Sequence, residues 1–179
     1  MIGDLDWTPA ADRPDLLAEP VRAALAGPDP VVAEALVAEI DPELADTAAF
    51  CERYAVPPEA SANCVVVAAK RGGLVRMAAC LVPATHRADV NGVVRRRLEA
   101  RKASFAPMAE ATGATGMEYG GITPIGLPAD WPLLIDELVV ARPQVVVGSG
   151  VRRSKLLVPG EALAGLPGAE VLALARPAG

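Results

Sequence analysis

The chain has 179 residues, enough for one domain with a real hydrophobic core and too few for two of ordinary size. Hydrophobic residues make up 52% but aromatic ones only 3%, so the core must be packed mainly from Ala, Val and Leu. Seventeen basic against 22 acidic side chains leave a formal charge of -5, which excludes broad attraction to polyanions such as DNA and confines any RNA contact to a local basic patch.

No apolar run approaches the roughly 20 residues of a membrane span, so no membrane partner is expected. Cys51, Cys64 and Cys80 are odd in number, lack CxxC spacing and follow no signal peptide. That pattern predicts reduced thiols in the core of a cytoplasmic protein rather than a disulfide framework.

Residues 1–13 show no periodicity and carry three Asp, which predicts a poorly ordered acidic lead before a single domain over 14–179. Pro20 to Ala26 reads as a short helix opened by proline and stopped at Gly27-Pro28. The stretch VVAEALVAEID suits strand or helix, and Leu36 to Ile40 is assigned to strand. Asp46 or Thr47 can cap a helix through Tyr54 that Pro57-Pro58 ends. Cys64 to Ala69 and Leu74 to Pro83 are apolar runs around Lys70-Arg71-Gly72-Gly73, the pattern of a hairpin.

Asp89 is placed to cap a helix over DVNGVVRRRLEA, with Arg95 and Glu99 paired along one face. A KASF strand and a helix opened by Pro107 follow. Thr115 to Pro132 is too rich in Gly and Pro for a helix and predicts an ordered loop bracketing short strand pieces. Strands are expected at Leu133 to Ile135, Gln144 to Val147, Lys155 to Val158 and Glu170 to Ala175, with a helix near Glu161 to Leu166. Hairpins and helices without regular alternation give an α+β class with a mixed sheet.

Generic catalytic signatures are sparse. His86 is the only histidine, so Ser-His-Asp or Cys-His machinery would have to be built around it, and no nearby pattern orients it. One His and scattered Cys do not give zinc-ligand spacing, and no metal or other cofactor is expected. The Gly148-Ser149-Gly150 turn precedes Arg152, Arg153 and Lys155, a set that could hold a phosphate or carboxylate but equally reads as a plain hairpin turn. Lys102 and the arginines before it read first as a solvated face. In Gly120-Gly121-Ile122-Thr123-Pro124 the glycines permit positive φ or close approach, and Pro124 stiffens the exit. Main-chain N–H groups there could face a carbonyl, although a structural turn explains the motif locally.

Read together, GGITPIG, the LPxxWPLLID segment, VVVGSGVRRSKL and the closing AEVLAL resemble, in order and spacing, the YbaK-type aminoacyl-tRNA deacylases and the editing insertion of prolyl-tRNA synthetase. The similarity runs from about Asp46 to Leu174. It implies a compact fold with a barrel-like mixed sheet flanked by helices, and hydrolysis of the ester at the 3′ end of a misacylated tRNA, with a synthetase as a further partner.

Carried over by position, that resemblance implies catalytic roles for Gly120, Gly121, Ile122, Thr123 and Pro124 and for Asn63. It implies substrate binding by Asp136, Gly148, Ser149 and Gly150. Arg152, Arg153, Lys155 and Lys102 are the tRNA-contact candidates. The departure is Ala62-Asn63-Cys64, where related proteins open the strand with lysine: a neutral amide stands in place of a cation. Two functions are therefore expected to compete, a trans-editing hydrolase and a catalytically inactive binding module holding a tRNA end, a synthetase or an amino-acid-like ligand.

Overall fold

The computed structural model describes residues 1–28 and 34–178. Its centre is a hairpin of β3 (Ala62–Arg71) and β4 (Leu74–Pro83), two ten-residue strands paired along their whole length. The turn is shorter than the sequence suggests: Arg71 pairs with Leu74, so only Gly72 and Gly73 reverse the chain. Both have positive φ, 57° and 78°, the backbone that a two-residue turn needs to match strand twist.

Side chains alternate along β4, with Ala79 and Leu81 in one core and Ala78, Cys80 and Val82 in another, so the sheet is covered on both faces. β6 (Lys102–Phe105) flanks β3, while β7 (Leu133–Asp136) and β10 (Ala169–Leu172) continue beyond β4. The order is β10-β7-β4-β3-β6. β4, β7 and β10 run parallel and the other pairs antiparallel, which makes the sheet mixed.

A second, antiparallel sheet has the order β1-β2-β9-β8, from β1 (Thr8–Pro9), β2 (Leu36–Glu39), β8 (Val145–Gly148) and β9 (Ser154–Val158). One parallel bridge, Ser61 to Val146, links it to the first sheet. The described strands thus form separate sheets and no closed barrel, because pairing between the two stops at that bridge. A small third pair joins β5 (His86–Ala88) to β11 (Ala175–Pro177).

Short helices fill the edges: α1 (Glu19–Leu25), α2 (Thr47–Arg53), α3 (Arg95–Arg97), α4 (Met108–Thr115) and α5 (Glu137–Val140). None of the described helices is long and apolar enough to cross a membrane.

Several expectations change. The expected acidic lead pairs through β1 with β2, and Trp7 is buried with Ile40 and Phe50. An indole there removes apolar area from water and holds a segment that composition alone reads as loose. Val31 and Ala33 of the ambiguous VVAEALVAEID stretch lie outside the described residues, and the strand that follows is β2. The helix after Asp89 is a π-turn over Val90–Val94 followed by the single turn of α3. Asp89 does cap it, accepting from the N–H groups of Gly92 at 3.1 Å and Val93 at 3.2 Å. Arg95 bonds the Asn91 carbonyl instead of Glu99, and Glu99, at φ 53°, ends the run. No strand piece forms between Met117 and Trp131, where proline and positive-φ glycine prevent pairing. The expected last strand is divided into β10 and β11.

Candidate active site

The two sheets diverge beyond the Ser61 bridge, and the gap is a cavity of about 520 Å³. Its walls come from the start of β3, the start of α2, the junction of β6 and α4, the loop at Gly120 and the facing strands β8 and β9. Of the residues singled out in the sequence, Asn63, Gly120, Ile122, Gly148, Arg152 and Lys155 meet here.

Asn63 is held by a residue the sequence offered only as a helix cap. Thr47 donates through Oγ1 to Asn63 Oδ1 at 2.5 Å, while Asp46 makes no side-chain cap bond to α2. The Asn63 carbonyl is therefore engaged. Its amide N–H2 group has no partner among the described residues, which orients the donor end of the side chain.

The Gly120 loop is shaped by packing as much as by the cavity. Gly120 has φ 81°, and a Cβ there would stand 2.5 Å from the Arg152 guanidinium. Gly121 turns away: its N–H donates to Glu118 O at 2.9 Å, its carbonyl accepts from Gly150 at 2.7 Å, and a Cβ would come within 2.8 Å of the Val151 backbone. The paired glycines thus serve close loop-to-turn contact at one position and left-handed backbone at the other. The N–H groups of Gly120 and Ile122 make no hydrogen bond to a described residue.

Lys155, 8% exposed, projects from β9 into the cavity wall. Nζ donates to the Ala45 carbonyl at 3.0 Å and lies 5.2 Å from the centre of the Phe50 ring. Burial lowers its amine to about 8, opposed by the nearby Cys51 and Asp46 and reinforced by Arg152. Arg152 is half-buried and braced: its two terminal nitrogens donate to Tyr119 O at 3.1 Å and Pro42 O at 2.9 Å.

The other candidates lie elsewhere. Asp136 is a structural latch, since Oδ1 caps α5 at Leu138 (3.0 Å) and Oδ2 accepts from Leu174 (3.0 Å) and Ala175 (2.9 Å). The Ser149 hydroxyl is buried, donating to Ser154 O at 3.1 Å and lying 2.7 Å from Ser154 Oγ, which itself bonds Leu16 O. Gly150 packs against Ala18 of the segment leading into α1. Thr123 is fully buried, and Pro124 lines a separate apolar hollow beside α1. Arg153 reaches Asp15 O, and Lys102 is exposed beside Lys70 on the far edge of the hairpin. His86 contacts Thr85 Oγ1 at 2.8 Å and lines none of the cavity.

Sequence reasoning missed Thr47, Asp46, Phe105, Met108 and Tyr119. Phe105 and Tyr119 are 61% and 58% exposed, and with Met108 they are large apolar side chains at the cavity's mouth. An aromatic in a chain so poor in them was the available signal, and its exposure was not. Cys64 also lines the cavity, but burial and the neighbouring Cys80 push its thiol well above the usual range, against a thiolate nucleophile. Among the described residues no cluster of His, Cys, Asp and Glu could hold a metal.

This arrangement of sheets is shared with solved structures. A candidate trans-editing enzyme for prolyl tRNA synthetase superposes with TM-score 0.74 at 22% identity, covering 89% of this chain and 96% of that one. A scaffold protein used for grafting linear epitopes gives TM-score 0.74 at 22% identity over 89% and 97%. The hypothetical protein APE2540 gives 0.69 at 19% identity over 78% and 90%. At such identities the likeness is one of fold. No curated protein matches the chain. The family model for the aminoacyl-tRNA editing domain matches residues 41–166, more than half of the sequence and every wall of the cavity. The chain belongs to the aminoacyl-tRNA editing domain family.

Proposed function

We propose that the protein is a trans-editing deacylase that hydrolyses the ester joining a wrong amino acid to the 3′ end of a tRNA. The observation that carries this reading is the cavity. In a chain of the editing family it joins the Gly120 and Ile122 N–H groups, without a partner among the described residues, to the Asn63 amide, behind a mouth flanked by Phe105 and Tyr119.

In this reading water adds to the ester carbonyl carbon, the carbon–oxygen bond to ribose breaks, and the ribose oxygen leaves with a proton. Free amino acid and tRNA are the products. Charge building on the carbonyl oxygen is met by the Gly120 and Ile122 N–H groups, which are stiffened before the reaction by the Gly121 and Gly150 bonds. The vicinal ribose hydroxyl directs the water, so no side-chain nucleophile is required. Unpaired terminal bases stack on Phe105 and Tyr119, a contact that tolerates a protein of net negative charge. Such a substrate sets the cytoplasm as the place of action and a synthetase as a working partner.

The test is deacylation of a panel of misacylated tRNAs. Release of amino acid above the buffer rate for at least one member is expected, and buffer rates for all of them would sink the reading. A second reading, a binding module that keeps the fold without catalysis, is favoured by the neutral Asn63. Asn63→Ala and Asn63→Lys separate the two. Loss of a measurable native activity in the alanine variant supports the enzyme, whereas hydrolysis by the lysine variant alone supports the module.

A further inference from the structure

Among the described residues Lys155 is the only buried lysine or arginine. Its register is fixed on both sides, opposite Ala38 of β2 and Gly148 of β8. An ammonium has three donors, and only one protein acceptor, the Ala45 carbonyl, is within reach among the described residues. No carboxylate forms an ion pair with it there. A buried cation with no carboxylate in contact costs stability that an apolar side chain of the same length would avoid, so such groups concentrate where they meet a ligand. The Phe50 ring beneath Nζ and the cavity beside it give the remaining donors one direction in which to find an acceptor. Arg152 shares the wall, but its guanidinium is already tied to two carbonyls.

We infer that Lys155 is the substrate-contacting cation of this cavity, donating to a carbonyl or phosphate oxygen of the bound 3′ end and supplying from β9 the charge that Asn63 lacks on β3. The inference rests on the editing reading and deepens it. The titratable and charged groups facing Lys155 are Asp46 and the Cys51 thiol from the start and body of α2 and Arg152 from the turn before β9, with the Cys64 thiol across the cavity on β3. With the amine lowered to about 8, the contact should weaken as pH rises through that value.

The experiment compares the full-length protein with Lys155→Met, Lys155→Arg and the double variant Lys155→Met/Asn63→Lys on a misacylated tRNA that the wild type deacylates. Thermal melts confirm folding of each. Loss of one charge-assisted hydrogen bond predicts a fall in kcat/KM of about 10- to 100-fold for Lys155→Met. The double variant should recover at least half of that loss on a logarithmic scale, because the charge returns from the opposite wall. After subtraction of the buffer rate, wild-type activity should decline above pH 8, and Lys155→Met should lose that break. A second substrate, the aminoacyl ester of adenosine without phosphate, separates the two acceptors: an undiminished effect assigns the acyl oxygen, a lost one the phosphate.

Wild-type kcat/KM in folded Lys155→Met overturns the inference. So does a fall that the double variant does not recover and that leaves the pH profile unchanged, which marks a packing role. A wild type inactive on every misacylated tRNA instead removes the editing reading itself.

Discussion

At Gly148 a Cβ would stand 2.5 Å from the Gly121 carbonyl oxygen and 2.6 Å from that of Ile122. Gly148→Ala must therefore push the loop off the end of β8, with a cost of about 1 to 3 kcal/mol. The expected result is a lower melting temperature and a larger loss of deacylation than the lost stability explains. Asp136 gives the opposite signature. Its carboxylate receives three main-chain N–H groups, and in Asp136→Asn one amide end would face donors it cannot accept. Urea unfolding should read a loss of about 2 to 4 kcal/mol while KM stays unchanged, whereas a selective rise in KM would restore Asp136 as a binding residue. The motif positions were legible as letters, but the direction of each backbone group was not. GGITP contains one glycine that lines the cavity and one that packs behind it, and no local pattern distinguishes them.

The junction of β6 and α4 carries Phe105 and Met108, and Tyr119 follows α4. Because these side chains are exposed, Phe105→Ala and Tyr119→Ala should leave the melting temperature within a degree or two. Each should weaken binding of a short single-stranded 3′-end oligonucleotide by about 1 to 3 kcal/mol, measured by fluorescence titration. Unchanged affinity in both variants would remove the mouth from the binding surface. The β3–β4 hairpin was readable because period-two apolar runs and a Gly-Gly turn are local signals. The π-turn before α3 and the division between β10 and β11 were not. The break between β10 and β11 falls where Leu174 and Ala175 donate to Asp136, far away in sequence, and the turn of α3 is joined to β10 by the Arg97–Glu170 pair.

Removal of residues 1–13 tests the packing of the whole molecule. It strips β1 from the second sheet and uncovers Ile40 and Phe50, so a loss of about 3 to 5 kcal/mol is expected in urea unfolding. A truncated protein as stable as the full chain would make the segment an ornament. The alkaline limb of stability follows from buried titrating groups of opposite sign. Burial raises the thiols of Cys51, Cys64 and Cys80, so above about pH 8.5 the unfolded chain sheds protons that the folded chain keeps, and stability falls. Lys155 acts in reverse: its folded value near 8 lies below the unfolded one, so its contribution rises between about pH 8 and 10.4. Unfolding measured at pH 7 and pH 10 should show net destabilisation at the higher value, steeper in Lys155→Met, which lacks the opposing group. The sequence by itself determined the α+β class, the central hairpin, the family and the neutral amide at position 63, because local periodicity, turn chemistry and ordered motifs are properties of neighbouring residues. Only the tertiary structure decided that Thr47 holds Asn63, that the Asp136 and Ser149 side chains bond neighbouring segments away from the cavity, and that a lysine of β9 lines it. Those outcomes depend on which distant strands pair and how far two sheets part, and a one-dimensional pattern carries no term for that distance.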